Sequence, residues 1–144
     1  MTKFKVFTDG GSRGNPGPAA IGVVIQGDEI GKKSYCEFLG KATNNEAEYR
    51  AVIFGLKKLK QLLGGDKAGQ AMIDFYVDSE LIERQLNGQY KIKEKNLQKF
   101  FMEIWNLRLD FRKVVFNHVL RGKNSEADRL VNQALDREAS HLDI

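Results

Sequence analysis

Residues 3–25, KFKVFTDGGSRGNPGPAAIGVVI, limit what this chain can fold into more than any other stretch. Phe4, Val6 and Thr8 alternate with Lys5, Phe7 and Asp9, the period of a β-strand, and a second run, Ala20 to Ile25, follows a turn rich in Gly and Pro. A strand followed by glycines, here Gly10, Gly11 and Gly14, also opens many nucleotide-binding folds. Such a loop must lead into a helix, whose N-terminus receives the phosphate. Pro16, Pro18 and a β-branched run follow instead, so the chain turns back as a hairpin. No Gly-Lys-Ser or Gly-Lys-Thr sequence offers a P-loop. Asp9 closes the first strand in this reading, and a carboxylate at the end of a central strand faces a cleft.

A turn at Gly27-Asp28-Glu29 leads to KKSYCEFLG, a third antiparallel strand ending near Leu39. The next run, EAEYRAVIFGLKKLKQLL, predicts a helix capped by Thr43 or Asn44 and stopped at Gly64-Gly65. Glu48, Val52, Gly55, Leu56, Leu59 and Leu63 share one face, so Glu48 heads an apolar stripe. Glu46 lies on the opposite face, spaced for an i,i+4 pair with Arg50. AMIDFYVDSE predicts a strand stopping at Asp78, and ELIERQLNG a short helix ended by Asn87-Gly88. Lys91, Lys93 and Lys95 punctuate the loop that follows. Asn96 to Phe111 is amphipathic, with Leu97, Phe100, Phe101, Ile104, Leu107 and Phe111 on its buried face and Trp105 as packing. KVVFNHVL and SEADRLVNQALDREA supply a last strand and helix. With no repeat, low-complexity tract or linker, residues 1–144 read as a single domain.

Four acids stand out by placement. Asp9 and Asp78 end strands, while Glu48 and Asp128 lie in first turns of helices. Each has an ordinary reading beside a catalytic one. Asp78 or Ser79 serves as a helix N-cap, Ser125-x-x-Asp128 has capping-box spacing, and Glu48 serves the helix dipole. His118, at the end of the last strand, is either a hydrogen-bonded structural residue or a proton carrier. If the first and fourth strands are parallel neighbours, their C-terminal ends meet, where ligand sites of open α/β sheets gather. Four converging carboxylates repel one another. A pair of Mg²⁺ ions, which favour oxygen ligands, relieves that repulsion. Two such ions about 3.5–4 Å apart clamp a phosphodiester between attacking water and leaving oxygen.

Composition agrees without deciding. Of 144 residues 42% are hydrophobic, enough for one core, and the net charge of +4 favours an anionic partner. Cys36 is the single cysteine, which excludes an intrachain disulfide and a multi-cysteine zinc site. MTKFKVF lacks the apolar run of a signal peptide and no stretch reaches membrane-spanning length, so the expectation is a cytoplasmic protein with no membrane partner.

The chain resembles the type 1 ribonucleases H along nearly its whole length. TDGGSRGNPG, TNNEAEYRA, VDSE and NSEADRLVNQA stand in the family's order. The resemblance implies a ribonuclease H-like α/β fold, a five-stranded mixed sheet of three antiparallel then two parallel strands, flanked by helices. It also implies an endoribonuclease that cuts the RNA strand of RNA–DNA hybrids by a two-metal mechanism, leaving 5′-phosphate and 3′-hydroxyl ends. Asp9, Glu48, Asp78 and Asp128 match the catalytic acids and the ligands of two Mg²⁺ ions, with Mn²⁺ as substitute, and His118 matches a histidine that aids proton transfer or product release. Asn15, Asn44 and Asn45 match positions that read 2′-hydroxyls and base edges of the RNA strand, the 2′-hydroxyl being what separates RNA from DNA. Thr43 matches a contact to a DNA-strand phosphate, with Ser12 and Arg13 close by.

The sequence departs from the familiar bacterial pattern in three places. QLNGQYKIKEKNLQ replaces a long basic extension, Glu80 replaces a glutamine, and VLRGKNSEAD replaces a flexible loop after the histidine, which makes Arg121 a second candidate for that role. With so compact a basic segment, double-stranded RNA is a further expected partner, and the protein is expected to be a monomer. The rival reading is a non-catalytic nucleic-acid-binding module on the same fold, against which four intact acids beside a polyanion argue.

Overall fold

The computed structural model describes residues 2–142. The opening alternation forms β1 (Lys3–Ser12), which pairs antiparallel with β2 (Gly17–Gly27); β2 in turn pairs antiparallel with β3 (Gly31–Ala42). Then come α1 (Asn44–Leu63), a single turn α2 (Gly65–Ala68), β4 (Met72–Val77), α3 (Glu80–Leu86), α4 (Lys95–Leu107), β5 (Lys113–His118) and α5 (Ser125–Leu142). The sheet order is β3-β2-β1-β4-β5, with β4 parallel to β1 and β5 parallel to β4. This is the five-stranded mixed sheet expected from the sequence.

Thr43 caps α1 through a complete capping box: its Oγ1 accepts from the Glu46 amide at 3.1 Å, and Glu46 Oε1 accepts from the Thr43 amide at 2.9 Å. Glu46 is thereby committed to the cap, and the expected Arg50 pair does not form among the described residues. The helix stops at Gly64, where φ is +80°, a left-handed value that costs glycine nothing. Its apolar face, with Val52, Leu56 and Leu59 fully buried, lies on Phe4, Val6 and Phe75 of the sheet. Truncating one of these leucines to Ala would cost about 2–5 kcal/mol. α4 packs beside α1, and the ion pairs Lys57–Glu103 and Lys60–Asp110 tie the two together.

α5 covers the other face of the sheet, with Val131, Ala134 and Leu135 on Ala20. The ion pair Lys32–Glu126 anchors its first turn to β3.

Some boundaries differ from the sequence reading. β3 runs on to Ala42 because a register shift at Ala19/Ala20 absorbs Leu39 and lets pairing resume at Gly40. The predicted helix through Phe111 ends at Leu107, and residues 108–110 form a 3₁₀ turn that delivers Phe111 to the core. The turn at α2 carries no periodic signal in so short a stretch. No described helix is long and apolar enough to cross a membrane.

Candidate active site

Parallel pairing of β1 with β4 ends at the rung Thr8–Val77. Asp9 on β1 and Asp78 just past the end of β4 follow that rung, so the two residues lie side by side where the strands part. β1 itself continues to Ser12 against β2, which places Asp9 inside the antiparallel ladder opposite Gly22 rather than at the strand's end. Asp78 is not the cap of α3. Ser79 is, its Oγ accepting from the Ile82 amide at 3.2 Å, which leaves the Asp78 side chain free for the cleft.

Two glycines on adjacent rungs of the β1–β2 ladder, Gly22 opposite Asp9 and Gly10 opposite Ile21, bring the helices in. A Cβ on Gly10 would stand 2.2 Å from the Ala47 carbonyl carbon, and one on Gly22 would stand 2.2 Å from the Ala127 carbonyl oxygen. α1 and α5 therefore touch the sheet backbone from opposite faces. The residue after each contact is an acid, Glu48 on α1 and Asp128 on α5. Glu48 is held by the Gly10 amide, which donates to its Oε1 at 2.8 Å. Asp128 does not belong to a capping box. Its intended cap, Ser125, already has helical dihedrals (φ −63°, ψ −31°), because a 3₁₀ turn at Arg121–Asn124 runs straight into α5.

Carboxylate oxygens of Asp9, Glu48 and Asp78 lie within 4.8 Å of one another. All four acids line one cleft of about 470 Å³, together with Ser12, Arg13, Asn44, Asn45, Arg121 and Asn132. Burial pushes the Asp9 carboxyl up to about 7; the charges of Asp78 and Asp128 add to the rise and a hydrogen bond with Glu48 opposes it. Glu48 is also raised, by burial first and then by Asp9. Hard oxygen donors whose ionised forms destabilise one another suit a divalent cation of the Mg²⁺ type. The donor set fits the metal that the sequence implies.

Side-chain amides lock the rim. Asn44 Oδ1 accepts from the Ser12 amide at 2.9 Å, and Asn15 Oδ1 accepts from the Asn44 amide at 3.0 Å. Ser12 Oγ donates to the Gly14 carbonyl at 2.6 Å. The Arg13 guanidinium pairs with Asp136 and donates to Asn132 Oδ1, which ties the turn to α5. Thr43 Oγ1 accepts within its cap, so its hydroxyl proton remains for an outside acceptor. His118 is exposed at the end of β5, beside Val77, and Arg121 rather than His118 is among the residues lining the cleft. Sequence reasoning passed over Asn124, which is 1% exposed and bonded to Asp78. Its only sequence signal is a polar residue one helical turn before Asp128.

The Reverse transcriptase-like family model matches residues 7–134. Ribonuclease HI of Halobacterium salinarum is 37% identical over 135 residues, which cover 93% of this chain and 65% of that protein. A bifunctional protein of Mycobacterium tuberculosis is 38% identical over 139 residues, 95% of this chain but 36% of the relative. The chain thus spans between about a third and two thirds of the length of these relatives. Among solved structures, LC11-RNase H1 in complex with RNA/DNA hybrid superposes with a TM-score of 0.86 at 41% identity, covering 94% of this chain and 99% of that one. RNase H1 of Halobacterium salinarum gives 0.85 at 35% identity, covering 94% and 98%. Sequence and backbone agree across the span that carries all four acids, and the chain belongs to the type 1 ribonuclease H family.

Proposed function

We propose that this protein is a metal-dependent endoribonuclease that hydrolyses the RNA strand of RNA–DNA hybrids. The observation that carries the reading is the meeting of three carboxylates within 4.8 Å at the parting of β1 and β4, with Asp128 across the same cleft. Asp9, Glu48, Asp78 and Asp128 would hold two Mg²⁺ ions, for which Mn²⁺ substitutes. When bound, the ions supply an activated water and stabilise the leaving 3′ oxygen. Water adds to phosphorus and the P–O3′ bond breaks, giving 5′-phosphate and 3′-hydroxyl ends.

The chain's own residues supply selection. The Oδ1 atoms of Asn15 and Asn44 are occupied within the rim, which leaves their Nδ2 groups as the donors available to a substrate. With Asn45 they are suited to read 2′-hydroxyls, while Thr43 and the backbone near Ser12 and Arg13 hold the partner strand. His118 and Arg121 compete for the task of moving a proton or releasing product, and the placement of Arg121 in the cleft favours it as a participant. A monomeric, cytoplasmic, single-domain enzyme with slow action on double-stranded RNA completes the reading.

The deciding experiment is a labelled RNA–DNA hybrid with Mg²⁺, beside duplex DNA. Cleavage confined to the RNA strand and abolished by a chelator is the expected result. Binding without cleavage, or cleavage of the DNA duplex, overturns it.

A further inference from the structure

Asn124 is buried between the elements that carry three of the four acids. Its Nδ2 donates to the Thr8 carbonyl, one residue before Asp9, at 2.9 Å. The same Nδ2 donates to Asp78 Oδ2 at 3.3 Å. Four residues later, one turn into α5, comes Asp128. The carboxamide oxygen, by contrast, is buried with no hydrogen-bond partner among the described residues. A buried acceptor left unpaired costs stability, and such groups call for an explanation. Here the side chain is placed for what its two N–H bonds reach, at the expense of its oxygen.

Chemistry explains why the residue is asparagine. Both partners are acceptors, so the site needs two donors on one atom and no charge. Aspartate would set a third acceptor against them and add another negative charge to the cleft. Leucine or alanine would leave the Thr8 carbonyl and the Asp78 carboxylate without that donor. Because the carboxamide is planar, bonding both groups fixes how far the Asp78 oxygen stands from the end of β1, and so from Asp9.

We propose that Asn124 is a positioning residue that sets the Asp78 carboxylate in register with Asp9 for cation binding. It touches neither substrate nor the reacting phosphate. It acts through Asp78, as outer partners of metal-ligating carboxylates do. The inference rests on the proposed function only for its effect on turnover, since metal binding can be read separately.

The test uses the whole chain. Mg²⁺ and Mn²⁺ are titrated calorimetrically into wild type, Asn124→Ala and Asn124→Ser well below their melting temperatures, and hybrid cleavage is followed against Mg²⁺ concentration. Outer-shell losses of this kind run to about 10–100-fold. Both variants should therefore bind the ions about 10-fold or more weakly and need correspondingly more Mg²⁺ for half-maximal rate, with KM for the hybrid unchanged at saturating Mg²⁺. In wild type, the Asn124 side-chain amide resonance should move with Mg²⁺ and on Asp78→Asn, a readout that holds even if the variants fail to fold. Wild-type metal affinity in folded variants, or an amide resonance indifferent to both changes, overturns the proposal. Weakened metal binding in a protein that leaves hybrids intact would instead uphold Asn124 and sink the nuclease reading.

Discussion

The Gly10 amide donates to Glu48 Oε1 at 2.8 Å, across a contact with α1 so close that no Cβ fits on Gly10. The bond and the missing side chain are one device: the helix must reach the strand's backbone for its carboxylate to reach the amide. Gly10→Ala forces the methyl into the Ala47 peptide, which is backbone and cannot swing aside. The expected outcome is a loss of about 1–3 kcal/mol or more of stability, with hybrid cleavage falling far more than the folded fraction does. Denaturant melts and turnover per folded molecule, measured together, check it.

Asp9→Asn and Asp78→Asn should nearly abolish turnover with Mg²⁺ while the fold survives. Each removes one member of a mutually repelling set, so metal-free melting temperature should stay level or rise. Full-rate cleavage by Asp78→Asn would sink the assignment of that acid.

Proton linkage gives a pH signature. Asp9 titrates near 7 in the folded protein and Glu48 is raised as well, whereas carboxylates in an unfolded chain titrate near about 4. Between those values the folded state holds protons the unfolded state has lost, so metal-free stability falls as pH rises from about 4 through 7. Mg²⁺ should remove most of that fall and release protons on binding near neutrality. Melting temperatures from pH 4.5 to 8.5, in chelator and in Mg²⁺, test the sign; a metal-free curve that climbs across the window contradicts it.

Arg121 lines the cleft and His118 does not. His118→Ala should therefore lower kcat by less than about 10²-fold, the low end of acid–base effects, and Arg121→Ala by more. KM should change little for His118→Ala. A larger effect at His118, with an unchanged melting temperature, would return the proton-carrying role to the histidine.

Lys91, Lys93 and Lys95 are exposed on the short segment before α4. The segment is pinned rather than free: Gln85 Nε2 donates to the Lys91 carbonyl at 3.4 Å and Gln98 Nε2 to the Ile92 carbonyl at 2.8 Å. If Lys93 meets a phosphate, Lys93→Ala should weaken hybrid binding and reduce the slope of log K against log salt by about 1. So few contacts should also leave discrimination loose, giving slow cleavage of double-stranded RNA. Titrations of both duplexes at several salt concentrations, with high enzyme, decide both points.

The elements, and the placement of Glu48 and Asp78 toward one cleft, were legible from local signals: alternation in β1, the apolar stripe headed by Glu48, and the end of β4 before Asp78; Asp9, read as a strand end, instead lies within the ladder. What was hidden depends on contacts distant in sequence. Ser79 and Asp78 offer the same cap chemistry, and only the built helix shows that Ser79 takes it. Glu46 has Arg50 at pairing distance along the helix, yet the Thr43 amide wins because a cap must be satisfied first. Ser125-x-x-Asp128 looks like a cap until the preceding 3₁₀ turn makes Ser125 helical. Asn124 meets Thr8 across 116 residues, a separation no periodicity reports.

The acids reach the cleft from both sides of the sheet, and the last of them rides on α5. All five strands and α1 precede α5 in the chain, so the sheet and its first helix are complete before Asp128 is reached. Until α5 settles over Ala20 and Gly22, that side of the sheet stays bare and the fourth carboxylate is missing. The cleft thus has its full set of carboxylates only once α5, the last described element, lies on the sheet.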